Sequence, residues 1–70
     1  MASESQHELT ADLDEWRVTL TTGDVVVIRA HGVHQTESDL VFLALMKGSP
    51  HYEYEVARFP AGSVTDWSGG

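Results

Sequence analysis

The stretch RAHGVHQTESD, residues 29–39, concentrates the side chains of this chain that are able to do chemistry. His31 and His34 stand three apart, Glu37 follows three further on, and Asp39 lies just beyond. Two imidazoles and a carboxylate are donors that zinc and other borderline divalent ions accept. His51, after the Ser49-Pro50 pair, would offer a fourth. The spacing matches no standard zinc signature, however. A metal site also needs ligands held by hydrogen bonds of their own, which a polar loop between two apolar runs does not promise. The stretch therefore reads as a solvated connection, with His31, His34 and Glu37 as the metal candidates if an ion is bound. A loop carrying two histidines is also a place where charge changes near neutral pH.

Glu53 and Glu55 form a second constellation. Two apart on a strand, their carboxylates share a face at about 7 Å, a separation used for acid–base work on glycosides. The simpler reading is the charged, solvated face of an edge strand, where charge discourages unwanted sheet pairing. No Gly-x-Ser-x-Gly elbow and no glycine-rich phosphate loop occurs. Gly23, Gly48 and Gly62 sit singly where turns are expected. The residues thus point away from an enzyme and imply no cofactor and no catalytic residue.

The chain has 70 residues, enough for one small domain. A domain of that size buries only about 60% of the surface its unfolded form exposes, so its core is small. There are no cysteines, which excludes disulfides, thiolate ligands and a cysteine nucleophile. The net charge is −7, and five of the eleven acidic residues fall within the first fifteen positions, where no Lys or Arg occurs. Four scattered basic residues do not form the footprint that phosphate backbones require. Direct nucleic-acid binding is not expected; an acidic segment instead suits a basic protein surface. The longest apolar run, Leu40–Met46, is far short of the roughly 20 residues of a membrane helix. The N-terminal residues show neither the basic nor the apolar region of a signal peptide, so a cytoplasmic protein with no membrane partner is expected.

These groups must be positioned by a mainly β domain. Residues 1–14 form an acidic arm, in which Ser5 and Glu8 fit a capping box and Leu9, Leu13 and Trp16 share one helical edge. A short helix or a disordered arm is expected there. From Glu15 the period changes to two, with Trp16, Val18 and Leu20 facing inward. Gly23 supplies the hairpin turn. Val25–Ala30 is rich in β-branched residues and apolar on both faces, which suggests a central strand or a closed barrel. Gly32–Asp39 reads as loop. Leu40–Met46 is a third strand, and Tyr52–Phe59 a fourth. The fourth places Tyr52, Tyr54 and Val56 on one face and Glu53, Glu55 and Ala57 on the other. Pro60–Ser63 breaks it, and one turn of 3₁₀ helix is expected there. Val64–Trp67 is a fifth strand, leaving residues 68–70 as a flexible C-terminal end.

Five antiparallel strands over residues 15–67 most economically form a small barrel or a strongly bent sheet, which removes exposed edges. In element order this resembles the SH3-like and Sm-like small barrels. That resemblance implies a fold and not a function. The positions where Sm proteins carry RNA-binding motifs hold HGVHQTESD and ARFPAGSV here, and neither matches. No RNA-binding residue is carried across.

Strands apolar on both faces offer more apolar side chains than one small interior can hold, and the excess should meet another surface. The leading expectation is a non-enzymatic interaction module that self-associates or docks on a protein partner. Its contacts would be Phe42, Met46, Phe59 and Trp67, helped by Leu9 and Leu13. One alternative is an acidic inhibitor of a basic partner, a nucleic-acid mimic acting through Asp12, Asp14, Glu15, Glu37 and Asp39. The other is a divalent-metal protein using the His31/His34 loop.

Overall fold

A computed structural model of the chain describes residues 9–70. It holds six strands: β1 (Asp14–Leu20), β2 (Val25–Ala30), β3 (Gly32–Gln35), β4 (Asp39–Met46), β5 (Tyr52–Pro60) and β6 (Val64–Gly69). A single 3₁₀ turn, Ala61–Ser63, separates β5 from β6. All pairings are antiparallel. The strands form two sheets of three, in the orders β2-β1-β6 and β3-β4-β5.

The period-two pattern of β1 sets the first sheet. Trp16 and Val18 are buried and Leu20 packs beside them. The hairpin to β2 closes at Gly23, whose φ of +95° is open to glycine at no steric cost. The second sheet is built on β4, whose unbroken apolar run places it between β3 and β5. Leu40 and Phe42 face the core, where Phe42 meets Trp16 and Phe59 edge-on at ring separations of 5.7 and 6.1 Å. Trp67, opposite Val18 in the register of β1 and β6, lies 6.1 Å from Trp16. The first and last strands therefore neighbour each other, and the two indoles pack together. The Trp16 indole N–H donates to the Ala30 carbonyl at 3.0 Å, so the buried ring leaves no polar atom unpaired.

Several expectations are corrected. The stretch Gly32–Asp39 is not all loop: Gly32–Gln35 is β3, paired with Leu40–Leu43, and Val33 packs on the core. Its weak period-two pattern was hidden by the histidines. The described residues form no closed barrel. The edges of the two sheets, β2 and β6 of one and β3 and β5 of the other, are not hydrogen-bonded to each other. Strand β2 is not central but an edge strand, with Val25 and Val27 half exposed. Residues Leu9–Leu13 are not helical, because their backbone bonds to β4 rather than to itself. The Ser5–Glu8 capping box lies outside the described residues. Ser68 and Gly69 belong to β6, and the Gly70 N–H reaches the Glu15 carbonyl.

Strand β5 carries one irregularity of consequence. Ala57 lies opposite Phe42 while Glu55 lies opposite Leu43, so Val56 is an extra residue, a β-bulge. The bulge shifts the alternation by one. Ala57 and Phe59 therefore join the core face, the same face as Tyr52 and Tyr54, and Ala57 does not share a face with Glu53 and Glu55.

Candidate functional site

Beyond the bulge the core face of β4 and β5 continues, and the first sheet borders it at Arg29 of β2. Ala44 lies opposite Tyr54 and Met46 opposite Tyr52. Ala44 and Met46 are buried at the floor, whereas Tyr52, Tyr54 and Val56 are 46%, 59% and 38% exposed along one wall. Leu9 and Leu13 of the N-terminal arm form the opposite wall, with Arg29 at the end of β2. The result is a groove of about 450 Å³. That volume falls within the roughly 300–1,000 Å³ of sites that hold small ligands or side chains.

The arm is strapped in place by specific bonds. Leu9 bridges to Met46, and the Thr10 N–H and hydroxyl both donate to the Leu45 carbonyl at 3.1 Å. His31 completes the strap. The Leu45 N–H donates to its Nδ1 at 2.7 Å. A backbone N–H only donates, so Nδ1 is the acceptor and the ring proton sits on Nε2. Nε2 donates that proton to the Ala11 carbonyl at 2.7 Å. One imidazole thus ties the arm to β4 through both of its nitrogens.

The opposite face of β5 is charged. Arg58 holds Glu55 through two bonds of 2.8 and 3.1 Å and Asp39 through a third of 2.8 Å. The bulge is what brings Glu55 and Arg58, three apart in sequence, onto one face. The Arg58 hydrogen bonds hold the Glu55 carboxyl below its usual range, and Glu55 in turn raises the Arg58 guanidinium. Two carboxylates share one guanidinium, and Glu53 stands beside them exposed with no ion pair among the described residues.

The residues singled out in the sequence are placed as follows. His31 has both ring nitrogens engaged with backbone groups, so it offers a metal ion no free lone pair. His34 is exposed on β3, and Glu37 is exposed at the tip of the β3–β4 loop. Among the described residues no three His, Cys, Asp or Glu side chains stand together as a metal ion would need. His51 bonds within its own turn, to Gly48. Glu53 and Glu55 share a face as expected, but Glu55 is held ionised and is unsuited to donate a proton. Of the apolar candidates, Met46, Leu9 and Leu13 come together in the groove. Phe42 has no exposed surface, and Phe59 and Trp67 pack around the same cluster. These three build the interior, because a core shared by two small sheets draws on aromatics from both. Asp12, Asp14 and Glu15 are exposed near the arm, while Asp39 is partnered by Arg58.

In the sequence Tyr52, Tyr54 and Val56 read as one strand face that builds the core or, alternatively, forms an exposed aromatic patch for a partner; the structure leaves them exposed rather than in the core. The signal that could have revealed the groove wall was the pair of tyrosines at period two, followed by a phase break between Glu55 and Ala57. Comparison of the chain with protein-family models, with curated proteins and with solved structures gives no match.

Proposed function

We propose that this chain is a non-enzymatic protein-binding module whose groove between the N-terminal arm and β5 takes apolar side chains of a protein partner. The observation that carries the reading is the exposed row Tyr52, Tyr54 and Val56 over a floor of Ala44 and Met46. Three large apolar side chains on one face of one strand leave a large part of their surface uncovered by the chain's own packing. Tyrosine is enriched in binding hot spots because it brings large area at low entropic cost. The strap through His31 supports the same reading, since it holds the wall of Leu9 and Leu13 ready before a partner arrives, which lowers the ordering cost of binding.

The test uses small probes. The ¹⁵N-labelled protein is titrated with N-acetyl-leucine amide and N-acetyl-phenylalanine amide. Chemical-shift changes are expected at Ala44, Met46, Tyr52, Tyr54 and Val56, and are expected to vanish in the double variant Tyr54→Ser, Val56→Ser. Both side chains are exposed, so that variant keeps its fold. Changes scattered over the surface, or centred on the His34–Glu37 region, would refute the groove as the site.

A further inference from the structure

We infer that the partner segment binds as an added β-strand on the free edge of β5, and that its apolar side chains alternate with lysines or arginines. The inference rests on the groove reading above and deepens it by naming the partner's chemistry.

The first ground is the edge. Strand β5 pairs with β4 on one side, and on the other no described strand pairs with it. From Tyr52 to Val56 every residue is exposed. A row of unpaired backbone N–H and C=O groups is a template for another strand. The groove lies along this same strand, so a segment added to β5 sets every second side chain on the groove face.

The second ground is charge. The side chains between those positions fall on the other face of β5, beside Glu53 and Glu55. With Asp39, that face holds three carboxylates against the single Arg58 guanidinium. Cross-strand neighbours of opposite charge stabilise a pair, and like charges oppose it. A strand of alternating apolar and basic residues therefore satisfies both faces at once. A second copy of this chain does not. A two-fold pairing centred on Tyr54, which would bring the two tyrosine rows together, sets Glu53 of each copy opposite Glu55 of the other. Each copy also carries a net charge of −7. The charge on β5 discourages self-pairing while matching a basic strand.

The test is a binding measurement by fluorescence anisotropy and NMR on the full chain. The probe is a labelled nine-residue peptide, Ac-Lys-Val-Lys-Leu-Lys-Val-Lys-Leu-Lys-NH₂. The first control has the same composition in an order without alternation. Two further peptides carry N-methyl groups, one on the odd positions and one on the even positions. A strand presents alternate N–H groups to opposite edges. Methylation of one set should therefore weaken binding about tenfold or more, while methylation of the other leaves it nearly unchanged. The alternating peptide should also bind about tenfold tighter than the scrambled one, with shifts on β5 amides.

Equal binding of alternating and scrambled peptides, or equal loss from both methylations, would overturn strand addition. If the small amides still fill the groove in that case, the groove reading stands and only the strand inference falls. If neither peptides nor amides perturb the groove, both fall. A concentration-dependent dimer with contacts between β5 strands would make a second copy the occupant and overturn the inference.

Discussion

Phe42→Ala separates a core residue from a contact residue. Phe42 has 0% of its surface exposed and meets Trp16 and Phe59 edge-on. Truncating a buried phenylalanine costs about 3–5 kcal/mol, from lost transfer energy and the cavity left behind. Each aromatic pair adds about 0.5–1.5 kcal/mol beyond burial, which places this site in the upper half of the range, at about 4 kcal/mol. At about 0.05–0.15 kcal/mol per residue, a domain of 70 residues has a total stability of roughly 4–10 kcal/mol. The variant is thus expected at the edge of unfolding in water, while Phe42→Leu, which keeps much of the volume, loses only about 1–2 kcal/mol. Urea titration followed by tryptophan fluorescence reads both values, because the Trp16 ring touches the site. A Phe42→Ala loss under about 1 kcal/mol would refute the placement of Phe42 in the core and return it to the list of surface contacts.

Three further outcomes follow from the geometry. Gly69 has φ +134°, and a Cβ there would meet the Glu15 carbonyl oxygen; Gly69→Ala should cost more than about 1 kcal/mol in thermal melts, while Gly62→Ala, with open space around it, stays within about 0.5 kcal/mol. His31→Ala removes the imidazole link between Ala11 of the arm and Leu45 of β4 and should cost about 0.5–1.5 kcal/mol, with faster hydrogen exchange at the Leu45 and Thr10 amides; unchanged exchange would mean that His31 does not help to hold the arm. The Glu55 carboxyl is held below its usual range chiefly by the Arg58 hydrogen bonds. Its contribution is therefore present above the ordinary glutamate range and is lost as pH falls through the depressed folded value. Glu55→Gln should flatten the fall of stability on acidification below about pH 4.5, and an unaltered slope would show the pair to be energetically silent.

The strands legible in the sequence were those whose pattern has one cause. Trp16, Val18 and Leu20 alternate with polar residues because β1 has one buried face, and that strand formed as read. Leu40–Met46 is apolar throughout, with Leu40, Phe42, Ala44 and Met46 buried on one face of β4 while Leu45 on the other is exposed, and its length alone favours a strand over a helix. Gly32–Gln35 was missed because its only large apolar side chain is Val33; its pairing with β4 is a tertiary choice that local composition does not encode. The spacing of Ser5, Glu8, Leu9 and Leu13 suits a short helix or a disordered arm, and it equally lets two leucines line a groove from an extended segment. Closure of the sheet was not legible either. It depends on whether edge strands of the two sheets meet each other, and hydrophobic period carries no such information. The histidines drew attention for their chemistry, yet His31 serves as a backbone tie, a role that needs a partner N–H and a partner C=O from two distant segments.

The bulge at Val56 allows the separation of fold from binding to be tested with one deletion. Removing Val56 leaves Tyr52, Tyr54, Ala57 and Phe59 at strict alternate positions, with Glu53, Glu55 and Arg58 between them. Every register pair on either side of the bulge survives: Ala57 still faces Phe42, and Glu55 still faces Leu43. The core therefore does not need the extra residue, and the deletion variant should fold with a loss within about 1 kcal/mol, since Val56 is 38% exposed. What it should lose is the Val56 part of the groove wall and the added twist that a bulge gives its strand. The alternating peptide should then bind at least about tenfold more weakly, although the edge of β5 and its carboxylates remain. A deletion variant that unfolds would show the bulge to be structural. One that folds and binds as well as the parent would place the binding surface elsewhere. A fold that tolerates the loss while the groove does not would mean that Val56 is carried for what the strand binds rather than for how it packs.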